Sequence, residues 1–220
     1  MALEKRLRVI IWIKIETMII LSFIISSIAL LISGLTFWLI YLKKGTIKMT
    51  QPTTVYLGND SVNVRLPKIY LRTLLYSTSK KGQIIESFYV KLKRGETSQN
   101  FNIWVYGNDK LYRGSGLFVG QEGMTFNHHF LLPKDGTGFH FLPGDYILEV
   151  YCKIVDDKKQ KKILNINLNL TEKESNELQN ISKGLYFDWG PDSNKYSKVI
   201  KDLPKHEFGE DLLNMIEKIK

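Results

Sequence analysis

Residues Gly138–Asp156 read GFHFLPGDYILEVYCKIVD, and this stretch decides the fold class. Pro143 and Gly144 permit a tight corner, because proline pre-sets φ and glycine tolerates backbone conformations that other residues avoid. Asp145 can accept backbone N–H bonds at such a corner. From Tyr146 onward the chain alternates: Tyr146, Leu148, Val150, Cys152 and Ile154 fall on one side and Ile147, Glu149, Tyr151 and Lys153 on the other. A period of two is the mark of a strand with one buried face. Tyr146 opens that strand with its ring inward and its hydroxyl able to reach back across the corner.

The same rhythm recurs through the middle of the chain. Val62–Leu66, Ile69–Leu75, Phe88–Leu92, Phe101–Val105, Met124–Phe130 and Leu164–Leu170 each read as one strand, making seven with the corner strand. Turn chemistry separates them, including Gly107-Asn108-Asp109, Pro133-Lys134-Asp135-Gly136 and Asp156-Asp157-Lys158-Lys159. Short strands without intervening helices predict two packed antiparallel sheets over residues 45–170. The Pro143-Gly144-Asp145-Tyr146 corner running into Tyr-x-Leu-x-Val resembles the tyrosine corner of immunoglobulin-like and fibronectin-type sandwiches. That resemblance implies an immunoglobulin-like β-sandwich and nothing about activity. The chain has one cysteine, so the inter-sheet disulfide of antibody domains is impossible. Cys152 reads as a small buried apolar residue.

The N-terminal part obeys a different rule. Thr17–Leu42 carries no charge over its whole length, enough to cross a hydrocarbon core that takes about 20 residues of helix. The run ends in Trp38, Tyr41, Lys43 and Lys44 rather than a small-residue cleavage site, which reads as a signal-anchor and single pass at 17–42. Residues 1–16 mix Lys5, Arg6, Arg8 and Lys14 with apolar side chains and read as an interfacial segment touching anionic membrane lipid. Ser22, Ser26, Ala29 and Ser33 form one stripe of small residues, a face suited to close helix approach and homo-oligomerisation.

Residues 171–220 read as a helical and aromatic extension packed on the sandwich. Thr171-Glu172-Lys173-Glu174 matches a capping box, predicting a helix from Glu172 to about Ile181 that Gly184 ends. An irregular aromatic segment, Leu185–Ile200, follows, and then a last amphipathic helix carrying Phe208, Leu212, Met215, Ile216 and Ile219. Tyr186, Phe187, Trp189 and Tyr196 of the aromatic segment are the candidate partner contacts.

Chemistry is sparse. His128 and His129 are adjacent in a strand and point to opposite faces, so a metal site would need one of them with His140; hydrogen-bonded histidines are the simpler reading. Asp188, Asp192 and Asn194 offer oxygen ligands without EF-hand spacing. The sequence has no phosphate loop, nucleophile elbow or zinc-protease helix, so we expect no enzyme, no cofactor and no resident metal. The net charge of +9 includes +4 from residues 1–44, and the remaining lysines sit at loops; this reads as a solvated surface rather than a nucleic-acid interface, which would interleave arginine with aromatics. Two functional readings remain. One is a membrane-anchored, non-catalytic sandwich that binds a protein or envelope component outside the cytoplasm. The other is a membrane effector whose cytosolic sandwich senses a ligand and drives oligomerisation of the helix.

Overall fold

The computed structural model describes residues 2–60, 65–108, 110–133 and 138–203. Two compact units make up the chain: one of residues 1–44 and 79–81, which holds the N-terminal helix, and a β-rich body of residues 45–78 and 82–220.

Helix α1 spans Ala2–Phe37 and passes into a π-helical turn, Trp38–Leu42, without interruption. No break separates the basic first turns from the uncharged stretch. Ile10–Leu42 is a 33-residue run long and apolar enough to cross a membrane. Its polar side chains turn back onto the helix itself: Ser22 Oγ donates to the Ile19 carbonyl, and Thr36 Oγ1 to that of Ile32. That internal satisfaction lets hydroxyls sit among apolar neighbours.

Among the described residues the body contains thirteen strands in two antiparallel sheets. In chain order these are β1 (Ile47–Met49), β2 (Thr54–Asn59), β3 (Pro67–Ser77), β4 (Gln83–Arg94), β5 (Thr97–Phe101), β6 (Ile103–Gly107) and β7 (Tyr112–Arg113). They continue as β8 (Leu117–Val119), β9 (Met124–Leu131), β10 (Gly144–Ile154), β11 (Lys161–Leu170), β12 (Lys183–Gly190) and β13 (Lys195–Asp202). The larger sheet runs β13-β12-β2-β3-β9-β6-β7, with β1 also on β3; the smaller runs β11-β10-β4-β5, with β8 also on β4.

Registers place one side chain from each of five strands in line across the larger sheet. Leu185, Leu57, Ile69, Phe130 and Trp104 form one such row. The facing rows of the smaller sheet include Leu148 with Leu92 and Val150 with Val90 and Phe101. All join one hydrophobic core. Phe88 sits at its centre, its ring centroid 5.3 Å from each of Trp104, His128 and Phe130.

The corner forms as its sequence implies. Tyr146 is 3% exposed and its hydroxyl donates to the Leu142 carbonyl at 2.6 Å. Gly144 takes φ +133, a region that glycine enters freely, while Arg94 Nη1 donates to the Pro143 carbonyl. Asp145 Oδ1 accepts from the Asn169 side chain, its Nδ2 at 2.7 Å, and ties β10 to β11; among the described residues no backbone amide donates to it. Tyr146→Phe removes one partly buried hydrogen bond, and the unfolding free energy should fall by about 1 kcal/mol; an unchanged denaturation midpoint would remove the corner as a stabilising element.

Several expectations are corrected. Phe101–Val105 is two strands: the chain changes sheets at Asn102, so Phe101 packs in the shared core while Val105 lies in a separate small cluster with Leu66, Leu111 and Leu131. Two different cores had produced one apparent alternation. Helix α2 covers Glu172–Leu178, with both capping-box bonds present, and stops short of Ile181. Asn180 Oδ1 accepts from the Ser182 amide and hydroxyl, a local turn that competes with further helix. Gly184 does not end the helix; it lies in β12, where an added Cβ would come 2.1 Å from the Tyr56 ring. Leu185–Ile200 is not irregular but the β12–β13 hairpin, built into the larger sheet through β2. Val62–Val64 and the expected final helix lie outside the described residues; Arg65 and Leu66 are not in a strand.

Candidate functional site

The β12–β13 hairpin divides the candidate contacts by parity. Leu185, Phe187 and Trp189 face inward with their cross-strand partners Ile200, Lys198 and Tyr196. Tyr186 points to the opposite face, its ring 4.9 Å from Tyr56 and under Lys201 Nζ at 5.2 Å. Thus Phe187, Trp189 and Tyr196 come together and Tyr186 does not join them.

These three line a groove of about 490 Å³. Phe187 is 1% exposed and forms its floor. Trp189 meets Tyr196 edge to face with centroids 5.0 Å apart. Tyr196 is fixed from both sides: its hydroxyl donates to the Pro52 carbonyl at 2.9 Å and accepts from Gln51 Nε2 at 2.8 Å. Burial pushes the Tyr196 phenol up to about 12, so it stays protonated and keeps donating at neutral pH.

The other wall is β11, and Asn165 through Asn169 all line it, including Ile166 and Leu168. Side chains of successive strand residues point to opposite faces. A groove lined by five in a row is therefore walled by the edge of the strand. Lys198 closes one end, its Nζ bonded to the Asn169 carbonyl at 3.2 Å and to Glu174. Lys195 and Asn194 stand at the hairpin end. Sequence reasoning found the aromatic wall but missed the amide ladder as part of a site, reading Asn165, Asn167 and Asn169 only as the polar face of a strand.

The histidines lie apart. His128 faces the core, fully buried, its Nδ1 accepting from Trp104 Nε1 at 3.2 Å. Burial pushes its imidazole down to about 3. His129 faces the other way, 5.0 Å from the Tyr70 ring, and His140 Nδ1 lies 3.0 Å from Arg65 Nη1. Asp188 accepts from Thr54 Oγ1 at 3.2 Å. Among the described residues no three His, Cys, Asp or Glu side chains come together to hold a metal. Cys152 is buried, and burial pushes its thiol up to about 11.

One polar cluster was not foreseen. Glu149, 4% exposed, accepts from Lys93 at 2.8 Å, Lys162 at 2.9 Å and Tyr151 Oη at 3.0 Å. The Lys93 ammonium foremost, with Lys162 and Tyr151, outweighs burial and holds its carboxyl at about 2. It clamps β4, β10 and β11 together on the outer face of the smaller sheet. Glu149 occupied a polar slot of the alternation, and nothing in the sequence distinguished it from a solvated residue.

No protein-family model matches the chain, and neither a curated protein nor a solved structure matches it.

Proposed function

We infer that the chain is a membrane-anchored, non-catalytic binding protein whose groove holds a protein or envelope component. The observation that carries this reading is the groove itself. Three rings on a rigid hairpin face a strand edge, and the lining consists of amides, lysines and apolar groups rather than a nucleophile paired with a base. Anchoring is supported by Ile10–Leu42, whose 33 residues would reach about 50 Å as helix, more than a hydrocarbon core of about 30 Å. The stripe Ser22, Ser26, Ala29 and Ser33 supports self-association of that helix. An immunoglobulin-like class for the body is supported by the tyrosine corner.

We place residues 45–220 outside the cytoplasm. Basic residues near the span favour a cytoplasmic N-terminus, with Lys5, Arg6, Arg8 and Lys14 before it against Lys43, Lys44 and Lys48 after it. A short N-terminal tail is easily retained, and large C-terminal domains translocate largely regardless of their charge.

Trp189→Ala tests the binding reading. Trp189 lies at the end of β12 on the groove wall, so its truncation should move the melting temperature little and abolish co-purification of the partner from solubilised membranes. A large loss of melting temperature with the partner retained would make Trp189 a packing residue and overturn the assignment.

The amide-rich lining also favours a second reading, a cytosolic ligand sensor acting through the helix. Protease added to intact cells separates the two: the first reading expects the lysine loops of the body to be cut, the second expects a C-terminal tag to survive until the membrane is broken.

A further inference from the structure

We propose that the occupant of the groove is an extended, acidic polypeptide segment that adds to the free edge of β11 as an extra strand; this deepens the binding reading and rests on it. Among the described residues β11 has a strand neighbour on one side only, β10. The direction of its unpaired groups follows from one contact. Lys198 Nζ reaches the Asn169 carbonyl, so that carbonyl points away from β10. In an antiparallel ladder the outward-pointing residues repeat every second position, and the β10–β11 register runs without a shift from Leu164 to Leu170. Asn165 and Asn167 therefore turn both N–H and C=O into the groove, ready for four main-chain hydrogen bonds.

The opposite wall suits the side chains of such a strand. Phe187, Trp189 and Tyr196 belong to the inward face of the larger sheet, so a strand laid beside β11 would continue the smaller sheet over them. The lined length of five residues spans about 17 Å. Trp189 and Tyr196 meet edge to face; they wall a slot and do not present a flat platform for a sugar ring. The charge is one-sided through Lys195: it lines the groove and no carboxylate does, whereas Lys198, also in the lining, is already ion-paired with Glu174 at 2.8 Å. The edge itself is unguarded. Natural edges carry charge or proline against stray pairing, yet Asn165–Asn169 has neither, whereas β13 carries Lys195, Lys198 and Lys201. Strand addition draws affinity from main-chain bonds and selectivity from alternate side chains.

The probe is a fluorescein-labelled nine-residue peptide alternating glutamate with valine, titrated into the detergent-solubilised full chain. Saturable binding is expected. Asn167→Pro deletes one outward N–H and should weaken the peptide about tenfold or more, because proline is accepted where an edge N–H faces away from its sheet. Asn167→Ala keeps that N–H and should bind within about threefold of the parent. The same peptide N-methylated at alternate residues should lose binding to the unaltered protein, a test independent of whether the proline variant folds. Absence of peptide binding, equal binding by the N-methylated peptide, or a loss on Asn167→Ala as large as on Asn167→Pro overturns the proposal. Saturable binding of a chito-oligosaccharide in place of the peptide overturns it too. If Trp189→Ala still strips the membrane partner while the peptide fails, the strand proposal falls and the binding reading stands; if Trp189→Ala strips nothing, both fall.

Discussion

Phe88→Ala should lower the unfolding free energy of the β-rich body by about 3–5 kcal/mol, the range for truncating a large ring in a packed core. Phe88 is 2% exposed and lies on β4 of the smaller sheet, yet its three ring neighbours, Trp104, His128 and Phe130, belong to the larger. Removing it empties the point where the sheets meet, and β6 and β9 cannot close the gap without shifting their ladders. Chemical denaturation of the purified chain, read by tryptophan fluorescence, measures the change. A loss near that of Tyr146→Phe would mean that the sheets do not share this centre.

Acid should unfold the body in a window that begins well above the carboxylate range. The His128 imidazole is held at about 3 by burial, against an ordinary value of 6.5. The unfolded chain therefore binds a proton that the folded chain refuses. The sign follows: the stability contributed by neutral His128 is complete above about pH 6.5 and is lost as pH falls toward 3, at about 1.4 kcal/mol per pH unit. His129 adds to the same limb, since burial first and then the Lys68 and His128 charges hold it well below its usual value. Glu149 acts lower, its contribution present above about pH 4.5 and lost toward pH 2. His128→Asn keeps an acceptor near Trp104 Nε1 without a titrating ring. It should be less stable at pH 7 and show a shallower decline between pH 6.5 and 4. A decline as steep as in the parent would assign the acid limb to other groups.

The strands legible in the sequence were those with one buried face. Tyr146–Ile154 and Leu164–Leu170 alternate because solvent lies on one side and core on the other, and Phe88–Leu92 was found for the same reason. β2 was missed because burial on both faces erases the alternation: Val55 and Leu57 are buried inward, and Tyr56 is buried on the other side with its hydroxyl on the Asn59 carbonyl. The β12–β13 hairpin was missed for a related reason. Tyr186 packs on Tyr56 while Phe187 enters the core, so aromatics occupy both parities and mimic an irregular cluster. The capping box was legible because its two bonds are local. Half of the groove was legible, since a cluster of rings beside a Gly-Pro turn suggests contact. The other half depends on β11 being an edge, a property of strand order that no local pattern carries.

The central claim is that the groove between β11 and the β12–β13 hairpin engages a partner in the membrane-bound protein. A photo-crosslinking residue placed at Asn194, exposed at the hairpin end of the groove, and separately at Ile147, 42% exposed on the smaller sheet's outward face, should be irradiated in intact membranes. A discrete adduct from position 194 and none from position 147 is the predicted result. No adduct from 194, or the same adduct from both positions, would contradict it.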